Sequence, residues 1–300
     1  MALAQGRPPL RTAVVHPVDA LSLTGAVEAG RRGLIEPILV GPKARILAAA
    51  EAAGLDVREL ELIDTEHSHA AAARACELTA RGGATALMKG ALHTDELLEA
   101  VVSPQSGLRT DRRMSHVFVL DVPGYPRPLL ISDAAINIAP DLSAKRDIVQ
   151  NAIDCAQAVG VAEPKVAILA AVETVNPAMT STLDAAALCK MADRGQITGG
   201  DLEGPLAFDN AISPEAAKDK GIGGDVAGYA DIIVVPDLES GNMLAKQLTF
   251  LGGAESACIV LGARVPIALT SRADSVEARV ASLALAALLA DHQRRRAQVA

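Results

Sequence analysis

TAVVHPVDALSLTGAVEAGRRGLIEPILVGPKARILAAAEAA, residues 12–53, decides the fold class. Thr12–Val15 and Pro37–Val40 are short apolar, β-branched runs, and the Ala/Leu-rich stretches Asp19–Arg31 and Pro42–Ala53 that follow them have helical length. Strands that alternate with helices in this way give a layered α/β protein with a largely parallel sheet. The rhythm continues outward, with strands predicted at Glu59–Ile63, Ala84–Met88, Lys165–Leu169, Asp231–Val235, Ala257–Leu261 and Pro266–Leu269. Helices are predicted at His67–Ala80, Thr94–Val101, Leu142–Ala158, Ala178–Asp193, Gly241–Leu251 and Ser275–Arg295. No internal repeat and no low-complexity linker interrupts the pattern.

The middle of the chain departs from it. Ser115–Val122 and Leu129–Ile131 flank Pro-Gly-Tyr-Pro-Arg-Pro at 123–128, which reads as two strands joined by a tight turn and makes the sheet mixed. A chain of 300 residues, 50% of them hydrophobic, is long enough for two cores. Two lobes are therefore expected, residues 1–134 with 272–300 and residues 135–271, the chain crossing near Asp133–Asp141 and its final helix returning to the first lobe.

Composition narrows the function. Lysine plus arginine number 28 against 36 aspartates plus glutamates, and with no Trp, two Tyr and three Phe there is little on which bases could stack, so nucleic acid is not an expected partner. Cys76, Cys155, Cys189 and Cys258 are widely spaced without a Cys-x-x-Cys pair, which argues against a disulfide framework and a zinc site. No apolar run reaches the roughly 18 residues of a membrane span, and the polar start lacks a signal-peptide core, so a cytoplasmic protein without a membrane partner is expected.

Two strand-to-helix junctions carry the candidate chemistry. In Ile267–Glu277 a strand ends, Ser271 and Arg272 fall in a turn, and a helix starts with Asp274 as N-cap and Glu277 at the third helical position. Free backbone N–H groups at a helix start, with Arg272 as a bidentate donor, suit an oxyanion. In Val234–Met243 a second strand runs into a polar turn holding Ser240, Gly241 and Asn242, with Lys246 shortly after. Loops at the carboxyl ends of parallel strands share one side of a sheet, which lets such junctions converge. By contrast, Gly221–Gly228 precedes a strand, where a dinucleotide fingerprint would follow one, and His67 and His69 fall on different faces of a helix with no further ligand, so no metal is expected.

Thr270–Glu277, Pro236–Asn242 and Gly204–Asp209 together resemble the phosphate acetyltransferase and phosphate butyryltransferase family, over nearly the whole chain and in matching order. Met88–Gly90, Gly107–Thr110 and Ser115-His116 resemble the butyryltransferase branch. The resemblance implies a two-lobed fold similar to isocitrate and isopropylmalate dehydrogenases, a homodimer or higher homo-oligomer, and an active site in the interlobe cleft. It implies a short acyl group moved reversibly between coenzyme A and inorganic phosphate, with acyl-CoA and phosphate as substrates and no metal or redox cofactor. Ser271 matches the family serine that assists the thiol, and Arg272 the arginine that holds phosphate. Lys89, Asp209, Ser240, Gly241, Asn242 and Lys246 lie in or beside the matching motifs as substrate-binding candidates.

This chain departs from the family in two places. Ala278 stands where acetyltransferases carry the aspartate proposed as base, which leaves Asp274, one helical turn earlier, as the substitute. Their arginine-containing substrate motif is missing after Lys89-Gly90, and Arg109 is the replacement candidate. Three other readings are an acyl-carrier-protein phosphate acyltransferase, a non-catalytic CoA or anion binder of the same fold, and a metal-dependent dehydrogenase. The last needs a Tyr–Lys arrangement and an aspartate cluster, and only Tyr125 and Tyr229 exist.

Overall fold

In the computed structural model, which describes residues 2–299, Leu10–Val15 forms β1, with only Arg11 of the six residues exposed. A buried run without alternation is what a parallel strand covered on both faces shows. The chain enters α1 (Ala20–Arg31) where the Asp19 carboxylate accepts the Ser22 N–H at 2.8 Å, a cap that stabilises a helix by about 1 kcal/mol. There follow β2 (Ile35–Gly41), α2 (Lys43–Ala52), β3 (Glu61–Asp64), α3 (Ser68–Ala80), β4 (Ala86–Lys89) and α4 (Thr94–Val102). Parallel pairing places Val15 opposite both Val40 and Lys89.

The antiparallel hairpin comes next, β5 (Ser115–Asp121) and β6 (Leu129–Ser132), its turn closed by Tyr125 N–H to the Val122 carbonyl at 2.9 Å. After it come α5 (Leu142–Ala158), β7 (Lys165–Leu169), α6 (Thr180–Asp193), β8 (Asp201–Leu206), α7 (Phe208–Ile212), α8 (Pro214–Asp219), β9 (Ile232–Val234) and α9 (Leu238–Phe250). Finally β10 (Glu255–Leu261) and β11 (Ile267–Ala268) lead into α10 (Val276–Val299). Three of these elements are absent from the sequence-based expectation. β8 has no β-branched residue and contains Gly204 and Pro205, which is tolerated because β8 is an edge strand beside β7. α7 and α8 are too short to show a 3.6-residue period.

The chain divides into two compact units, Met1–Arg112 with Ala257–Ala300, and Arg113–Ser256. Both joins precede the expected ones at 134/135 and 271/272. The hairpin accounts for the first shift, since β6 pairs with β9, and the pairing of β11 with β4 accounts for the second. In the first unit the strand order is β3-β2-β1-β4-β11-β10, parallel except for β10; in the second it is β5-β6-β9-β7-β8, parallel except for the hairpin. Each sheet is thus mixed and largely parallel. Apart from buried Ser282, α10 is apolar on every face from Val280 to Ala290, packs on α1, and contributes buried Leu283, Leu285, Leu288 and Leu289 to the first unit.

Candidate active site

β11 delivers the chain to a tight turn at its carboxyl end. The Asp274 N–H donates to the Ser271 carbonyl at 3.2 Å, the Ser271 N–H donates to Asp274 Oδ2 at 2.6 Å, and the Ser271 hydroxyl accepts the Ala273 N–H at 3.4 Å. Ser271 and Arg272 are exposed at the tip. The expected capping box is not formed. Ser275, not Asp274, caps α10, its hydroxyl accepting the Ala278 N–H at 3.1 Å. Glu277 turns away to meet Arg32 at 2.7 and 2.9 Å, a pairing that holds its carboxyl below the usual range. The Asp274 carboxylate is therefore spent on the turn, not on the helix.

Beneath the turn lie two buried cations. Lys89 ends β4 with 5% exposure, and among the described residues its ammonium makes one hydrogen bond, a long one of 3.4 Å to the Gly90 carbonyl. Burial first, then the charges of Arg279 and Arg272, lower its pKa against the opposing pull of Asp19 and Asp274. Arg279, 3% exposed, donates from Nη1 to Thr270 Oγ1 at 2.7 Å and from Nη2 to the Ser271 carbonyl at 2.9 Å, while its Nε has no partner. Asp19 is committed to Ser22, whose N–H and hydroxyl both donate to it at 2.8 Å. Three cations thus face two carboxylates already engaged elsewhere, and the surplus positive charge suits an arriving anion.

Sequence reasoning missed Asp19 and Arg279. The usable signal for Arg279 was a cation directly abutting the long run Val280–Ala290, in which Ser282 is the one polar residue. His16, which follows β1 with φ 55° and a buried Nδ1 lacking a partner, was also passed over. Burial, then Arg45, lowers its pKa. Gly90 fits against this corner because a Cβ there would lie 2.4 Å from the Val15 carbonyl oxygen and 2.7 Å from that of His16. Both obstacles are backbone, so Gly90→Ala is expected to destabilise the fold by about 3 kcal/mol, near the upper end for overpacking, read as a lowered denaturant midpoint. An unchanged midpoint would show that β1 and β4 can part without cost.

Arg109 is not brought to this site. It forms an isolated bridge with Ala263 at the tip of the β10–β11 hairpin, and that tip lies at the opposite end of β11 from Ser271. Its surroundings, Thr110 Oγ1 to the Gly262 carbonyl at 2.6 Å and Arg264 Nη1 to that of Gly107 at 2.7 Å, fasten the hairpin.

In the second unit the carboxyl ends of β6, β9, β7 and β8 share one end of the sheet, which brings the remaining candidates to one rim. α9 begins at Leu238 under an Asp237 cap, so Ser240, Gly241 and Asn242 lie in its first turns and not in a loop. The Ser240 N–H and hydroxyl both donate to Asp237 Oδ1 at 2.8 Å. Gly241 is buried where a Cβ would stand 2.8 Å from the Asp133 carbonyl oxygen, and the Asn242 amide donates to that of Ala134 at 3.0 Å. These two side-chain positions seat α9 on the 133–134 segment. Lys246 and Asp209 are exposed. Asp209 pairs with Lys220 at 3.1 Å, which depresses its pKa, and Lys220 also reaches Glu173 at 2.5 Å.

Among the described residues no group of three or more His, Cys, Asp or Glu is placed to hold a metal, and no helix is long and apolar enough to cross a membrane. All four cysteines are free, and burial pushes the Cys76 and Cys189 thiols up to about 11.

Residues 69–287 match the family model described as phosphate acetyl/butaryl transferase. The chain is 62% identical, over all of its length and 95% of the relative's, to a phosphate acetyltransferase of Rhizobium meliloti. It is 43% identical to a phosphate butyryltransferase of Clostridium acetobutylicum, over 94% of each. Among solved structures it superposes on a branched-chain phosphotransacylase from Enterococcus faecalis with a TM-score of 0.81 at 30% identity, covering 94% of this chain and 99% of that one. A 4-hydroxythreonine-4-phosphate dehydrogenase from Klebsiella pneumoniae shares the fold alone, with a TM-score of 0.56 at 14% identity over 94% of this chain and 99% of that one.

Proposed function

Because the chain belongs to the phosphate acetyl/butyryl transferase family, whose reaction moves a short acyl group between coenzyme A and inorganic phosphate, we propose that the cationic turn at Ser271–Asp274 is where it does so. The relatives support neither the carrier-protein alternative nor the non-catalytic one. The observation that carries the placement is the surplus of positive charge from Lys89, Arg272 and Arg279 around an exposed serine.

In this reading Arg272 and Lys89 hold phosphate. A phosphate oxygen attacks the thioester carbonyl carbon, the C–O bond forms as the C–S bond breaks, and coenzyme A leaves as a thiolate. The Ser271 hydroxyl donates a hydrogen bond to that sulfur, and in reverse the thiol proton must be removed before attack. Phosphate is a weak nucleophile toward a thioester, so fixing it and stabilising the developing negative charge dominate the catalysis. Cys258, whose thiol burial and the Asp274 charge push well up, is unsuited to forming an acyl-cysteine intermediate, which favours direct transfer. On the second unit's rim, Lys246, Asp209 and Asn242 keep only the substrate-binding role that the family motifs suggest. A homodimeric, cytoplasmic enzyme without cofactor completes the reading.

The motifs expected to favour butyryl groups are outweighed by the higher identity to the acetyltransferase. Across acetyl-, propionyl- and butyryl-CoA, phosphate-dependent thiol release is expected to give acetyl-CoA the highest kcat/KM. Each added methylene shifts it by about tenfold or more where a pocket is shaped for the shorter chain. A tenfold preference for butyryl-CoA would reverse the assignment, and release independent of phosphate would remove the transferase reading.

A further inference from the structure

We propose that Arg279 is a positioning residue, holding Thr270 and Ser271 from below so that the Ser271 hydroxyl and the Arg272 guanidinium are presented in one fixed geometry. The inference rests on the site reading above and goes beyond it in assigning a role to a side chain that touches neither substrate. Arg279 is the fourth residue of α10, and helical side chains lean toward the N-terminus, which aims its guanidinium back under the turn. Two of its N–H groups reach consecutive residues, Thr270 Oγ1 at 2.7 Å and the Ser271 carbonyl at 2.9 Å.

Everything else about the position is unfavourable to an arginine. It is 3% exposed, its Nε is buried without a partner, and no carboxylate among the described residues lies within ion-pairing distance. Burial lowers its pKa, with Asp19 and Asp274 opposing only from a distance. A cation in the first turn of a helix also meets the positive end of the helix dipole. Room is made for it by Gly25 of α1, where a Cβ would come 2.9 Å from Arg279 Cβ and 3.0 Å from Cδ. Replacing an unneutralised buried charge with an apolar side chain of similar length tends to leave a fold as stable or more stable. The turn above it, in contrast, loses two charge-assisted anchors, and small misplacements of a reacting group are expensive in rate.

Stability and rate should therefore move apart. Arg279→Met is expected to keep or raise the melting temperature while lowering kcat for phosphate-dependent thiol release about tenfold, with KM for acetyl-CoA within about twofold, since the acyl-CoA contacts are untouched. Arg279→Lys, with one ammonium for two acceptors, should recover part of the loss. Thr270→Val removes one acceptor only and should lose less than Arg279→Met. Native kcat in a folded Arg279→Met variant overturns the proposal. Should that variant melt early, Thr270→Val decides: unchanged kcat there overturns it, lowered kcat at native melting temperature supports it. An unmutated enzyme without phosphate-dependent turnover would defeat the site reading as well, whereas an active one with an indifferent Arg279 defeats this inference alone.

Discussion

Arg272→Ala is expected to lower phosphate-dependent turnover ten- to a hundredfold and to leave the melting temperature unchanged. Arg272 is exposed at the tip of the 271–274 turn and makes no hydrogen bond or ion pair with any described residue, so the folded chain loses nothing when it is truncated. Its contribution arises only when an oxyanion arrives. Removing a hydrogen bond to a charged group costs about 1.5–3 kcal/mol, and each 1.36 kcal/mol is tenfold in rate. Lys89 and Arg279 remain beneath, so the loss is bounded and anion binding is weakened without being abolished. Kinetics with varied phosphate test this. Wild-type kcat and KM in the folded variant would take Arg272 out of the site.

Asp274→Asn is expected to lower kcat at least tenfold in both directions, with a native melting temperature. The sequence left two roles open for this carboxylate, helix cap or proton acceptor, and Ser275 fills the first. What Asp274 does bind is the Ser271 N–H at 2.6 Å, which an asparagine oxygen also accepts, so the turn survives the exchange. The negative charge and its capacity to take a proton do not survive. The kinetic signature is specific: with one carboxylate fewer among Lys89, Arg272 and Arg279, phosphate binds more tightly, so KM for phosphate falls while kcat falls. Asp274→Ala loses the turn contact as well and melts lower. Full activity in Asp274→Asn would sink the base role and leave Ser271 and bound phosphate to handle the thiol proton.

How much of this was readable from sequence depended on length and period. α5 at Leu142–Ala158 and β7 at Lys165–Leu169 were placed to the residue, because long apolar periods and β-branched runs encode themselves. β8 was invisible, since an edge strand needs little β propensity and its Gly-Pro reads as a breaker. At the site, Ser271 and Arg272 were legible as a turn between a strand end and a helix start, and the motif is what proposes them for a site. The cap was misassigned by one residue because Asp274 and Ser275 are both good N-caps and only the folded turn decides which carboxylate or hydroxyl faces the helix. Arg109 was the replacement candidate for the missing substrate-motif arginine because charge and motif position say nothing about which end of β11 a residue reaches. Arg279 was passed over for the opposite reason: its burial shows in the sequence only through the apolar run that follows it, and an arginine near a helix start is ordinarily exposed.

The chain's last helix closes the first unit, and this orders events during synthesis. Residues 113–256 are contiguous and have their strands in hand once Phe250 has emerged, so the second unit can fold while the ribosome is still extending the chain. The first unit at that moment has β1 to β4 but neither β11 nor α10, and the flank of β4 that carries Lys89 stands without its neighbour. The site proposed around Lys89 and Ser271 is therefore complete only after β11 and α10 have been made, with α10 packed against α1 and Arg279 bonded to Thr270 and the Ser271 carbonyl. A chain stalled or truncated before α10 lacks Arg279 and the packing of α10 on α1, and is expected to be inactive however well residues 113–256 have folded.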